Sequence, residues 1–170
     1  MTEVTTLDGF TPTPDLQRDF RNVLGCFGTG VTVVTCQTAK GPMGITANSF
    51  SAVSLDPPLV LWCPAHSSHR YPLFAEARHY AIHVLKADQL DLGIAFAKDG
   101  FAFDHCAWTE NEYGVPVLTE TLARFECESY DLHQAGDHAI AVGRVLRAHA
   151  GEGTPLLFTR GEYGQFTAFD

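Results

Sequence analysis

Along this chain the spacing of apolar positions switches between helical and strand periods, and the switches mark its elements. From Pro14 the period is helical: Leu16, Phe20, Val23 and Phe27 recur, Pro14 and Asp15 suit a first turn, and Gly28 and Gly30 end the run. VTVVTC (31–36) then predicts a β-branched strand and TAKGP (38–42) a turn. After the polar stretch 44–58, LVLWC (59–63) reads as a buried strand and residues 67–77 as a short helix with Leu73 and Phe74 inward. HYAIHVL (79–85) is a strand with Tyr80, Ile82 and Val84 on one face, and 88–98 is a helix that packs Leu92, Ala95 and Phe96. Residues 99–117 read as an aromatic loop, with packing the favoured role for Phe101, Phe103 and Trp108. Two long strands, 123–133 and 138–148, meet at the hairpin signal Gln134-Ala135-Gly136-Asp137, and 156–166 forms a second hairpin about Arg160-Gly161.

The count is six or seven mostly consecutive strands with two or three helices. That predicts a mainly β fold, an antiparallel, Greek-key-like barrel or a sandwich with helices at its edge, over residues 14–170. Residues 1–13 are polar and proline-punctuated and predict an arm.

The stretch 44–58, GITANSFSAVSLDPP, breaks the apolar pattern with Thr46, Asn48, Ser49, Ser51 and Ser54. It reads either as a solvent-facing strand and turn or as a platform for a flat ligand. Small side chains let a ring approach the backbone, and hydroxyls and N–H groups meet its polar edge. Ser67 and Ser68 read either as an ordinary N-cap or as a phosphate cradle with charge from His69 or Arg70. His66 and His69 lack a third ligand, so no metal site is expected. His138 starts a strand just after a turn, where it sits at a rim. Strand alternation would turn Asp137 and His138 to opposite faces, which argues against an Asp–His dyad. No Ser-His-Asp set and no GxGxxG after a strand is present.

Charge and cysteine usage narrow the classes. Among 170 residues, 11 Lys and Arg face 20 Asp and Glu, a net −9, which argues against nucleic acid and anionic membranes as partners. Five scattered cysteines suggest reduced thiols in a cytoplasmic protein. MTEVTTLDGF has neither the basic nor the apolar region of a signal peptide, and no apolar run approaches the ~18 residues of a membrane span.

Seven segments in one order carry a resemblance: FRNVLGCFGTGVTVVT (20–35), GITANSFSAVSLDPPLV (44–60), CPAHSSHRYPLF (63–74), AIHVLKADQLDLGIAFA (81–97), YGVPVL (113–118), GDHAIAVGRV (136–145) and PLLFTRGEYGQF (155–166). Together they resemble the short-chain flavin reductases, the reductase components of two-component flavin monooxygenases. The resemblance implies a split-barrel FMN-binding fold and a homodimer with flavin sites near its interface. It implies an NAD(P)H-dependent reductase of FMN, or in some members FAD, serving a partner monooxygenase. It places Thr46, Ala47, Asn48, Ser49 and Phe50 along the flavin ring, Ser67 and Ser68 at its phosphate, and Phe96 to Lys98 at its tail, with His138 where the nicotinamide approaches. The family often has a threonine soon after the two serines, where this chain has His69 and Arg70. A flavin carrier without reductase activity, or a reductase of a ferric chelate, a corrinoid or a small organic acceptor, would share the fold.

Overall fold

The computed structural model describes residues 9–169. Residues 1–8 of the expected arm lie outside the described residues, and 9–13 are irregular and exposed. The helical spacing after Pro14 becomes a 3-10 turn (Pro14–Leu16) and helix α1 (Gln17–Leu24). Strands β1 (Thr29–Gly30), β2 (Thr32–Thr38), β3 (Gly41–Ala47), β4 (Ser51–Leu55) and β5 (Pro58–Trp62) follow. Helix α2 (Tyr71–Glu76) leads to β6 (His79–Val84), and helix α3 (Leu90–Lys98) follows a 3-10 turn at Ala87–Gln89. The chain ends with β7 (Trp108–Glu110), β8 (Pro116–Leu118), β9 (Ala123–Ala135), β10 (His138–Ala150), β11 (Leu156–Thr159) and β12 (Glu162–Gln165).

Seven strands form one antiparallel sheet in the order β3-β2-β6-β9-β10-β5-β4. Its two edge strands, β3 and β4, are consecutive in the chain and joined by residues 48–50 alone. Four Cα–Cα steps reach at most about 14 Å. The sheet must therefore curl until its edges meet, and the result is a barrel with an unpaired seam at residues 48–50. Register breaks in β10 at Val142/Gly143 and Val145/Arg147 let the long β9–β10 hairpin follow that curl. Gly143 is required there, because a Cβ would run into the Tyr80 hydroxyl. A second sheet, β1-β11-β12, lies beside the seam, and β7 pairs with β8.

The apolar runs are continuous where a strand is buried on both faces. In β2, Val33 joins a core with Leu85, Phe96, Phe103 and Leu156, while Val34 joins Cys36, Trp62, Tyr80 and Ile82. Strand β6 departs from the expected single buried face: Tyr80 and Ile82 are buried, but so are Ala81 and His83. His83 is satisfied by two backbone bonds, Nδ1 to the Val33 carbonyl at 2.9 Å and Nε2 from the Leu118 N–H at 3.0 Å. That pattern makes it a neutral ring protonated at Nδ1. The expected loop 99–117 holds a 3-10 turn (Ala102–His105) and the β7–β8 pair, with Phe103 in the core and Trp108 packed against it. Burial pushes the Cys36 and Cys127 thiols up to about 12, so both pack as small apolar groups. Among the described residues no helix is long and apolar enough to cross a membrane.

Candidate active site at the barrel seam

The polar stretch 44–58 owes its composition to the seam. It leaves β3, crosses residues 48–50, and returns as the exposed edge strand β4. As an edge, β3 points alternate backbone groups away from β2. The Gly44 N–H goes outward to the Gly100 carbonyl at 2.8 Å, and by the period of two the N–H and C=O of Thr46 also point off the edge. Gly44 itself is needed for close packing: a Cβ there would lie 2.5 Å from the Phe96 ring.

Two recesses meet at this point. The smaller, about 220 Å³, is lined by Thr46, Ala47 and Asn48 with Ala97, Phe158 and Tyr163. The larger, about 820 Å³, is lined by Asn48, Thr29 and His138, the C-terminal part of α1, and the β11–β12 turn at Arg160 and Gly161. Asn48 and Phe158 line both, so the two recesses adjoin.

The expected site residues divide by role. Thr46, Ala47, Asn48 and His138 gather at these recesses. The Thr46 hydroxyl donates to the Gly93 carbonyl at 2.6 Å and ties β3 to α3. The Asn48 amide N–H donates only to the Thr29 hydroxyl, at 3.2 Å, leaving its carbonyl oxygen without a protein partner among the described residues. Ser49 is occupied by the end of β5, its hydroxyl accepting the Cys63 N–H at 2.9 Å. Phe50 stacks on Phe125 with centroids 5.3 Å apart, and Phe96 is fully buried against Phe103, so both rings are core.

Helix α2 starts later than expected, at Tyr71, and its N-cap is Arg70 rather than a serine. Ser67 and Ser68 lie in the preceding turn, where the Ser68 hydroxyl accepts the Arg70 N–H at 3.3 Å and Ser67 is exposed. Arg70 does not stand free for a phosphate. Its guanidinium donates to the carbonyls of Gly44 (3.0 Å), Phe96 (2.6 Å) and Ala97 (2.8 Å). Burial lowers its pKa, opposed by nearby Asp99. The clamp draws the Ser67–Ser68 turn, the end of α3 with exposed Lys98, and β3 into one corner.

The expectation that Asp137 and His138 diverge is overturned. Asp137 Oδ1 lies 2.7 Å from His138 Nδ1. Alternation holds only inside a strand, and Asp137 sits in the turn before β10, beside Gly136 at φ 66°. The His138 hydrogen bond and charge hold the Asp137 carboxyl below its usual range. Ala97 lies within the expected Phe96 to Lys98 segment, whereas sequence reasoning missed Phe158, Tyr163, Arg21 and Arg160. Only the Arg160-Gly161 turn signal hinted that the last hairpin approaches anything.

A curled antiparallel sheet, open at a polar seam with a hollow beside it, is the split barrel of flavin reductases. In a complex with NAD and FAD fragments, NADH:FAD oxidoreductase SgcE6 of Streptomyces globisporus C-1027 superposes with a TM-score of 0.86, at 34% identity, over 94% of this chain and 98% of that one. Residues 24–167 match the family described as flavin reductase like domain, and the chain belongs to that family. It is 57% identical over 158 residues to "FMN reductase (NADH) SmoA" of Agrobacterium fabrum, spanning 93% of this chain and 91% of that protein. It is 40% identical over 148 residues to "Flavin-dependent monooxygenase, reductase subunit HsaB" of Rhodococcus jostii, spanning 86% of this chain and 76% of the other.

Proposed function

We propose that the protein is an NADH-dependent flavin reductase that uses FMN, or FAD less readily, and supplies reduced flavin to a partner monooxygenase from the cytoplasm. The observation that carries this reading is that Asn48 lines both the recess suited to a flat ring and the adjoining cleft that holds His138. The likeness to relatives named as an FMN reductase (NADH) and a monooxygenase reductase subunit supports the same reading, as do five free cysteines, which suit a reducing compartment.

The residues present fit a flavin. Ala47 and Ala97 leave room for a ring, Phe158 and Tyr163 offer apolar faces, and the outward Thr46 backbone and the free Asn48 carbonyl oxygen supply polar contacts. Exposed Ser67 and Lys98, gathered by Arg70, are assigned to the phosphate end. A bound flavin would supply the acceptor for the hydride of the reduced nicotinamide, taking two electrons and, with one further proton, leaving NADH oxidised. The chain's task is then to bind and orient. Asp137 holds His138 at Nδ1 and leaves Nε2 without a protein partner among the described residues, available to position the nicotinamide. No strong acid or base is required of the protein.

We assign a homodimer as the working form. Helix α1 buries none of its residues, although Val23, Leu24 and the following Phe27 are apolar and 56%, 57% and 78% exposed. Leu55 on β4 is 96% exposed. A second copy would cover such surface. The test is NADH oxidation followed at 340 nm with and without FMN. Flavin-dependent turnover is expected, and an inert protein with both FMN and FAD would sink the reading. Asn48→Leu, at an exposed position, should weaken FMN binding about tenfold with the fold intact, as one lost polar contact of about 1.4 kcal/mol implies.

A further inference from the structure

We propose that Arg21 and Arg160 form a phosphate-recognition pair in the larger cleft, which holds the diphosphate of the reduced pyridine dinucleotide and sets the preference for dinucleotide donors. This assignment rests on the reductase reading above.

The two arginines come from opposite ends of the chain, Arg21 from α1 and Arg160 from the β11–β12 turn. The turn is fastened to the end of α1. The Arg160 N–H donates to the Gly25 carbonyl at 2.7 Å, and the Thr159 hydroxyl donates to the same oxygen at 3.1 Å. Both arginines therefore line the cleft that also holds Asn48 and His138. Neither guanidinium has a hydrogen-bond or ion-pair partner among the described residues.

The charge of this cleft is opposite to that of the chain. Acidic residues outnumber Lys and Arg by 20 to 11 overall, yet among the described residues no aspartate or glutamate lines the cleft. Two unpaired planar forks in a cleft of about 820 Å³ suit phosphate oxygens, which accept from guanidinium in bidentate geometry. Position 160 adds a second argument. The two-residue turn has φ of 51° at Arg160 and 84° at Gly161, where turn chemistry favours Asn-Gly. An arginine there fits the turn less well than asparagine and gains nothing from packing, since it is exposed.

Phosphate chemistry in this hollow has two sources, the flavin and the dinucleotide. The assignment to the dinucleotide follows from position: the arginines line the His138 cleft, whereas Ser67 and Lys98 are grouped with Ala97 by the Arg70 clamp.

The test uses the full chain, saturating FMN, and two hydride donors, NADH and the phosphate-free 1-benzyl-1,4-dihydronicotinamide. Arg160→Asn suits the turn, so its Tm should equal or exceed that of the wild type. Its KM for NADH should rise about tenfold with a smaller effect on kcat, and combination with Arg21→Gln should bring the rise to about fiftyfold. KM for the phosphate-free donor and the FMN dissociation constant, from fluorescence titration, should each change less than twofold. An unchanged KM for NADH in the double variant overturns the proposal. Equal losses with both donors, or weakened FMN binding in place of weakened NADH use, overturn it as well. A wild-type protein that oxidises neither donor would instead remove the reductase reading, and this assignment with it.

Discussion

Arg70 offers a direct test of how the site is held together. Replacing it with methionine keeps most of the stem and removes the guanidinium. Three bonds are lost, to the carbonyls of Gly44, Phe96 and Ala97. Hydrogen bonds from a charged donor contribute about 1.5–3 kcal/mol each, so the gross loss is about 5–9 kcal/mol. Two effects offset it. The guanidinium's own desolvation, visible in its lowered pKa, is relieved, and water reaches the carbonyls in the half-buried setting. A net destabilisation of about 3 kcal/mol is expected, in keeping with the breaking of a partly buried charged network. Urea unfolding of Arg70→Met and Arg70→Lys measures it, with lysine intermediate because one ammonium cannot span three acceptors. FMN titration under native conditions supplies the second readout. Affinity should fall with stability in both variants, because loss of the clamp frees the end of α3 from β3. If Arg70→Met keeps its stability within about 0.5 kcal/mol yet loses FMN, the clamp is wrong and Arg70 serves the phosphate directly.

His83 predicts a pH dependence. Burial, the first cause, holds its pKa at about 4, below the ordinary 6.5. The unfolded chain takes up a proton below about pH 6.5 that the folded ring refuses, so this contribution is intact above 6.5 and is lost as pH falls toward 4, by about 3 kcal/mol. Urea midpoints at pH 7 and 4.5 measure it, and a His83 ring resonance that titrates near 6.5 would refute it. Glu126 acts lower. Burial alone would raise its pKa, but the Asn111 bond and the charges of Arg124 and His149 hold it down, so its share fades only below about 4.5. Gly44→Ala forces a methyl against the buried Phe96 ring and should cost about 1–3 kcal/mol, read as a lower Tm, while Gly164→Ala, with nothing within 4 Å, should stay within about 0.5 kcal/mol. Val23→Glu with Leu24→Glu on the exposed face of α1 should convert a dimer seen by light scattering into a monomer, and a monomeric wild type would dispose of the dimer.

Much of the barrel was legible because its determinants are local. Gly136 and Arg160-Gly161 announce their turns, and the β-branched runs announce strands buried on both faces. Errors arose where a local rule was carried one residue too far. Strand alternation was applied to Asp137, which belongs to a turn, so its 2.7 Å contact with His138 was rejected. Of the two readings of Ser67 and Ser68, the N-cap one fails, because the helix begins at Tyr71 and the arginine before it turns inward.

The seam explains why the binding residues were only half visible. Residues 48–50 join the two edges of one sheet, so they cannot be paired on both sides: Asn48 and Ser49 are small and polar, while Phe50 turns back to stack on Phe125. That requirement is written into the sequence as a run of Thr, Asn and Ser, whether or not a ligand ever binds. What turns the seam into a site comes from elsewhere: Ala97 delivered by the Arg70 clamp, Phe158 and Tyr163 by the last hairpin, and His138 by the turn before β10. His138 is marked by the local turn signal before its strand, but Ala97, Phe158 and Tyr163 carry none, because each is brought to the seam by a contact between segments far apart in the chain. The polar stretch therefore marks where the barrel opens. The chemistry depends on long-range contacts at Gly25 and Ala97, and on the local Asp137–His138 contact, that bring the other walls to it, and those contacts are where substitutions outside the stretch should alter flavin and NADH binding separately.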